Sequence, residues 1–436
     1  MATYPYLYHS TECDAVNPAG YQEFDTLDFS LDFAGRALVC GTLRIEGEIR
    51  CLTQAGDAGQ DFEADDRIAC DHMVGAHSFI QSVVSTTLQQ GVIENVTNLP
   101  RLVAMKTAGT ESANDMNNSK YVCELRSSDK VIQEKLLKRR CPVDYGGGNT
   151  IGNGVNGTGR YSDVGTSHAG TGQVETAPVT PPAPGIVAVL GNSTGAATFS
   201  LPTTPTMFPL PDFSIKPHIC FNSPVGGNRL LNYSTTGTIR VSLNLARVAE
   251  ALYGEDLLTT SNYVLTNVRM AYTSVPEPPA QMPISLRTNM CLKSSLNSQL
   301  SNTSNRVPAV CDSVSMSFNQ LSRENHINHN NTALEMPPNV TRLQYMFNDS
   351  TSKYIAYELK QNPEIIAEGL KALSVGTMSN NVRLDTLSAN KAYIAGLSFG
   401  APTDLSQQKF NIQIESGISN TNPYQMYAYF SSVMSF

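Results

Sequence analysis

The sequence predicts an all-β protein, a β-sandwich fold in which helices are accessories. Three observations carry this. Apolar and polar residues alternate with period two in stretches spread along the whole chain, only a few short segments show helical spacing, and no parallel strand–helix repeat is present. Leu27, Phe29, Leu31 and Phe33 alternate with Asp28, Ser30 and Asp32, and Leu43, Ile45 and Ile49 with charged neighbours. Ile239, Val241, Leu243 and Leu245 repeat the pattern, as do Phe410, Ile412 and Ile414. Period two sends successive side chains to opposite faces of a pleated strand. One apolar face and one wet face is how antiparallel sheets read.

At 436 residues the chain exceeds one ordinary core and suits two or three domains. Apolar residues make up 41%, enough to fill such cores, whereas charged residues reach only 16%, well under the usual quarter. Asn, Ser, Thr and Gln therefore supply the polar surface, and such a surface can dock against copies of itself without burying many ions. The 30 basic residues against 38 acidic ones give a net charge of -8, so a global nucleic-acid footprint is absent. The 9 cysteines are odd in number and scattered, with no C-x-x-C. They read as reduced, mostly buried thiols of an intracellularly assembled protein, not as a disulfide framework or zinc ribbon. No signal peptide and no stretch of membrane-spanning length is read from the sequence. The sequons at Asn95, Asn232 and Asn339 are expected by chance in a chain this rich in Asn, Ser and Thr.

In chain order, residues 24–52 give two strand signals around a turn near Gly35, and 56–66 reads as a loop. Residues 78–88 suit another strand, while 92–105 fits strand or helix. Residues 128–140 form the first clear helical pattern, capped by Ser128 and ending in Lys138, Arg139 and Arg140. The stretch 141–184 is dominated by Gly, Asn, Thr, Ser and then Pro, a composition that builds no core, and it reads as a long excursion. Strand signals run through 186–221, a short helix is expected at 245–253 stopping at Gly254, and 263–272 is strand-like. Pro276, Pro278, Pro279 and Pro283 mark the best domain boundary. Beyond it, Val314, Met316 and Phe318 mark a strand, 319–338 an Asn-rich loop, and 343–359 two strands around Asn348. Asn362 caps a helix with Pro363 in its first turn, ending near Leu373. Residues 393–399, 409–415 and 424–430 are closing strands, the last aromatic enough (Tyr424, Tyr427, Tyr429, Phe430) to be buried on both faces.

Chemical motifs are weak. The G-x-G-x-x-G at Gly152–Gly157 lacks the strand and helix that a dinucleotide site requires. The G-x-S-x-G around Ser193 is the sharpest enzymatic hint, but a nucleophile elbow needs a following helix, and Pro202, Pro205 and Pro209 forbid one of useful length. A β-turn is the simpler reading. His72 and His77, with Asp71 nearby, and the pair His326 and His329 suggest metal sites, but exposed or hydrogen-bonded histidines are the simpler reading, because a metal also needs converging third and fourth ligands. Lys135, Lys138, Arg139 and Arg140 form the one basic cluster, read first as helix-dipole pairing and second as a contact for something anionic. No catalytic, cofactor-binding or metal residue is assigned, and no cofactor.

Several stretches resemble the double jelly-roll major capsid proteins of tailless icosahedral DNA viruses, the lineage of adenovirus hexons, virophages and polinton-like viruses. They are FSIKPHICFNS, GTIRVSLNLARVAEALYG and YVLTNVRMAYTSVPEP before the boundary, and GAHSFIQSVVSTTLQQGVIENV earlier. After it come RLQYMFNDSTSKYIAYEL, AYIAGLSFGAPTDLSQQKFNIQIESGI and the aromatic final strand. The resemblance implies two tandem jelly-roll sandwiches with short helices in connections: residues 1–275, with an insertion at about 141–185, and residues 276–436. It further implies a non-enzymatic protein of the virion, assembled inside the host cell. Three copies would form a pseudo-hexagonal capsomer that meets neighbouring capsomers and minor capsid proteins, with an internal membrane or the genome as further contacts. The alternatives are a minor capsid, penton or spike protein, a glycan- or receptor-binding lectin, and a serine hydrolase using Ser193.

Overall fold

The computed structural model describes residues 6–54, 62, 67–111, 123–126, 212–279, 282–307, 310–348, 353–374, 392–406 and 409–436. The helix expected at 128–140 with its basic cluster, the Gly- and Pro-rich stretch, the glycine motif at 152–157 and Ser193 lie outside the described residues, as does most of the acidic loop at 56–66.

The described residues form four antiparallel sheets that stack as two sandwiches. The first is built from β1 (Leu7–Glu12), β2 (Thr26–Leu31), β3 (Arg36–Val39), β4 (Arg44–Leu52), β5 (Ile80–Thr87), β6 (Gly91–Thr97), β7 (Asp212–Ile215), β9 (Leu230–Asn232), β10 (Ile239–Leu245) and β11 (Asn262–Pro276), while β8 (Pro224–Val225), between β7 and β9 in the chain, joins a sheet of the second. The second contains β12 (Ser285–Leu296), β13 (Leu300–Asn305), β14 (Val310–Gln320), β15 (Arg342–Asn348), β16 (Lys353–Leu359), β17 (Ala395–Asp404), β18 (Lys409–Glu415) and β19 (Tyr424–Ser435).

In the first sandwich β3 and β4 run along one side of β11 as a single interrupted row, from Arg36 opposite Pro276 to Leu52 opposite Asn262. β9 and β7 continue that pattern along β3 and β4. Because β1 and β4 both pair with Met270 and Ala271, they take opposite sides of β11. The sheet therefore has four rows: β1, β11, β3/β4 and β9/β7. It faces β2-β10-β5-β6. The second sandwich sets β12-β19-β14-β17 against β13-β18-β15-β16. With rows numbered along the chain, both sandwiches have the order 1-8-3-6 facing 2-7-4-5. This is the eight-row jelly roll, twice. In both, the connection from row five to row six carries a helix: α1 (Leu99–Thr110) after β6 and α2 (Asn362–Ser374) after β16.

The alternating residues fill the two cores. Leu27, Phe29, Leu31, Ile45, Ile49, Val241 and Leu243 are buried in the first, and Val314, Met316, Phe318, Phe410, Ile412 and Ile414 in the second. Three expectations are revised. Leu245 stays in β10, with Ile80 opposite, so the helix expected at 245–253 shrinks to one turn, Val248–Ala251. The ambiguous 92–105 divides into β6 and the start of α1, where Asn98 turns the chain at φ 54° and Pro100 occupies the first helical turn. β1, β12 and β13, which carry many Ser, Thr and Asn, were not predicted as strands.

Candidate functional site

The feature the fold constructs most elaborately among the described residues is the seam between the sandwiches. β6 of the first lies against β12 of the second. Glu94 on β6 accepts the N–H of Asn289 on β12 at 3.2 Å and the N–H of Cys220 at 2.6 Å. Just past the end of β6, the Asn98 carbonyl accepts the hydroxyl of Tyr429 at 2.6 Å, and Tyr429 lies opposite Cys291, two residues beyond Asn289 on β12. The two strands thus run in the same sense, and the sandwiches stand the same way up. β8 crosses to pair with β12, Val225 opposite Ser285. The two helices also meet: Gly109 of α1 approaches Leu370 and Leu373 of α2 so closely that a Cβ there would lie 2.8 Å from Leu373 Cδ1. Beneath α2, Gly369 and Gly396 let helix and β17 backbones touch, for a Cβ on Gly369 would fall 2.6 Å from the Ile394 carbonyl oxygen.

The loop 321–341 fastens the far end of the seam. Asp71, fully buried, accepts the Asn330 amide and the Thr332 hydroxyl, each at 2.6 Å, and the Met73 N–H at 2.7 Å. Asn331 donates to the Ala249 carbonyl, and Gly254 N–H to the Ile327 carbonyl at 2.9 Å. Arg101 of α1 is buried with its guanidinium 4.3 Å over the Tyr427 ring, and Tyr427 donates to Glu324.

Burial shapes the electrostatics. Removal from water raises the Glu94 carboxyl to about 7, although the two backbone N–H groups oppose the shift. His77 is driven down to about 4 by burial and by the nearby Arg126. Its Nε2 lies 3.1 Å from the Lys216 carbonyl and its ring centroid 5.4 Å from that of His218. His72 and Asp71 are buried neighbours, and the rings of His326 and His329 in the seam loop lie tilted to each other with centroids 5.1 Å apart. Among the described residues no group of three or more His, Cys, Asp or Glu is placed to hold a metal ion. The eight described cysteines are unbridged, with Cys123 and Cys291 partly exposed and the others buried. The aromatic final segment is β19, lying between β12 and β14 with Tyr424 through Phe430 buried. Asp71, which the sequence offers only as a neighbour of His72 and His77, serves the seam instead, and Glu94 carried no motif; the Asn-rich composition of 319–338 was the one available signal.

Outward surfaces carry isolated large apolar side chains. Tyr6, Leu7 and Tyr8 are exposed on and beside edge strand β1, and Leu88, Val92 and Met282 lie towards the same end of the molecule. Val16, Phe24, Leu258, Leu300, Leu321 and Met336 are exposed elsewhere.

The fold is a double jelly roll, and it defines a class of solved viral proteins. The Faustovirus major capsid protein matches with a TM-score of 0.51 at 10% identity, covering 100% of this chain and 91% of that one. PBCV-1 VP54, fitted into a cryo-EM reconstruction of the virophage Sputnik, matches with 0.50 at 8% identity, covering 100% and 96%. A chain of the Sputnik virophage structure at 3.5 Å matches with 0.50 at 10% identity, covering 100% and 87%. No family model and no curated protein matches the sequence.

Proposed function

We propose that the chain is the major capsid protein of an icosahedral virus, located in the virion, and that it acts by shape and self-association. The observation that carries this is the pair of jelly rolls with one strand order, standing the same way up and fused along a buried seam. A rigid body with two equivalent sandwiches offers six sandwiches when three copies close around a threefold axis, which is the geometry of a pseudo-hexagonal tile. The solved proteins with this fold include one whose name states that role. A polar, weakly charged surface suits repeated contacts between identical subunits. We assign the first sandwich to residues 1–275 and the second to 276–436, with β11 ending at Pro276 and β12 beginning at Ser285. Partners are further copies in the trimer, then neighbouring capsomers and minor capsid proteins. No catalytic step or cofactor belongs to this role.

The test is the mass in solution by light scattering, with electron microscopy of the concentrated protein. A mass three times that of the chain and hexagonal particles or sheets are expected. A monomer at every concentration, with no ordered assembly, would overturn the proposal.

A further inference from the structure

A cavity of about 320 Å³ opens along the seam, walled by α1, the end of α2, residues 123–126 and 216–225, and the sheet of β12, β14 and β19. Four cations line it, Lys106, Arg126, Lys216 and Arg287, against two carboxylates, Glu111 and Glu124. Both carboxylates are engaged by Arg126, at 3.1 Å and 2.7 Å.

Three of these cations, Arg126, Arg287 and Lys106, use their donors incompletely. Arg126 is 2% exposed; its Nη1 also reaches Thr107 at 2.8 Å, yet its Nε has no partner among the described residues. Arg287 meets Asp312 through Nη1 alone, which holds both carboxylate oxygens at 2.8 Å and 2.6 Å and leaves the rest of the fork uncommitted. Lys106 forms no ion pair among the described residues. The carboxylate nearest to it in effect is Glu94, whose oxygens are held by the N–H groups of Cys220 and Asn289. Polar donors left unpaired where water is largely excluded are costly, so the free Arg126 Nε, the unused nitrogens of Arg287 and the Lys106 ammonium call for an acceptor in this cavity.

We infer that this cavity binds a small polyvalent oxyanion of the phosphate class, held by Lys106, Lys216, Arg126 and Arg287. Guanidinium forks and ammonium groups are the side chains that recognise phosphate oxygens. The first three cations belong to the first sandwich and Arg287 to the second, so the bound anion braces the seam. The volume admits a short phosphate chain or a phosphorylated small molecule, and Leu102 and Leu373 give an apolar wall for an organic part.

Binding is measured on the full chain by titration calorimetry and thermal unfolding, with inorganic phosphate, tripolyphosphate, a nucleoside triphosphate and sodium chloride of matched ionic strength. Saturable binding of tripolyphosphate is expected, with a rise in unfolding midpoint of roughly 3 °C or more at saturation and none from chloride. Tighter binding of the nucleotide would identify a phosphorylated organic ligand, and equal binding a site that reads phosphate alone. Lys106→Met and Lys216→Met should each weaken binding about tenfold or more, while Lys360→Met, on the outer surface, should leave it unchanged. Lys216 is exposed, so its variant tests the site even if Lys106→Met fails to fold. Absence of saturable binding, or equal binding by Lys216→Met and the parent, would overturn the inference.

Discussion

The two sandwiches share one strand order but not one regularity. In the second, β12 pairs with β19 over its full length, from Ser285 opposite Ser435 to Leu296 opposite Tyr424, and no row is broken. In the first, row three is split into β3 and β4, and row six into β7 and β9. The break is where the joint is made. Between β7 and β9 the chain leaves its own sheet, gives the Cys220 N–H to Glu94, accepts the Arg287 N–H on the Ser223 carbonyl at 2.9 Å, and lends β8 to β12. The first sandwich gives up ladder hydrogen bonds in one place to build the interface that makes the pair rigid.

The regular sandwich should be the more sensitive to loss of core volume. Phe410 is fully buried at the centre of a ring cluster, with centroids 5.2 Å from Phe347, 5.6 Å from Phe399, 5.8 Å from Phe430 and 6.0 Å from Tyr345. Phe410→Ala should destabilise by about 3–5 kcal/mol, read by denaturant unfolding. A loss below about 1 kcal/mol would mean that this core is loosely packed.

The seam should reveal itself through pH. Glu94 titrates near 7 in the folded chain and near 4.5 when exposed. The folded state therefore binds this proton more tightly. Its contribution is fully favourable below pH 4.5 and is lost as pH rises through 7, a change of about 3 kcal/mol for a shift of this size. Other carboxylates slope the opposite way, so the measurement is the difference between the parent and Glu94→Gln. That difference should move by about 3 kcal/mol in favour of the variant between pH 4.5 and 8. A pH-independent difference would place Glu94 in contact with water.

How much of this was legible depended on whether one residue's chemistry or two elements' meeting was at stake. β2, β10 and β18 were readable because Leu27, Val241 and Ile412 alternate with polar neighbours on a wet face. α2 was readable because Asn362 and Pro363 open it. β12 was hidden because Thr288 and Asn289 interrupt its apolar pattern, both buried, and Asn289 is satisfied by Glu94 of the other sandwich. The same holds for Asp71 and Glu94, which are costly to bury unless partners more than 190 positions away satisfy them. The repeated 1-8-3-6 order left no repeat in the residues, because a jelly roll constrains the polarity pattern of its strands and not their identities.

The broken rows of the first sandwich give the finest test of the comparison. Where β3 and β4 part, Asn222 stands in for a missing ladder. Its amide donates to the Leu43 and Pro217 carbonyls, each at 2.9 Å, and its carbonyl accepts the Leu43 N–H at 3.1 Å. Neighbouring backbone bonds, Gly41 to Phe221 at 2.8 Å and Cys40 to Arg229 at 2.7 Å, bracket the same gap. Asn222→Ala strands two carbonyls and one N–H beside the seam, at a cost of about 2 kcal/mol. Because residues 220–225 also carry the Glu94, Arg287 and β12 contacts, the loss should be accompanied by faster amide exchange at Cys220, Val225 and Asn289, with β15 and β18 unaffected. Exchange that quickens equally in both sandwiches would show that the break is an ordinary irregularity and that the joint is held elsewhere.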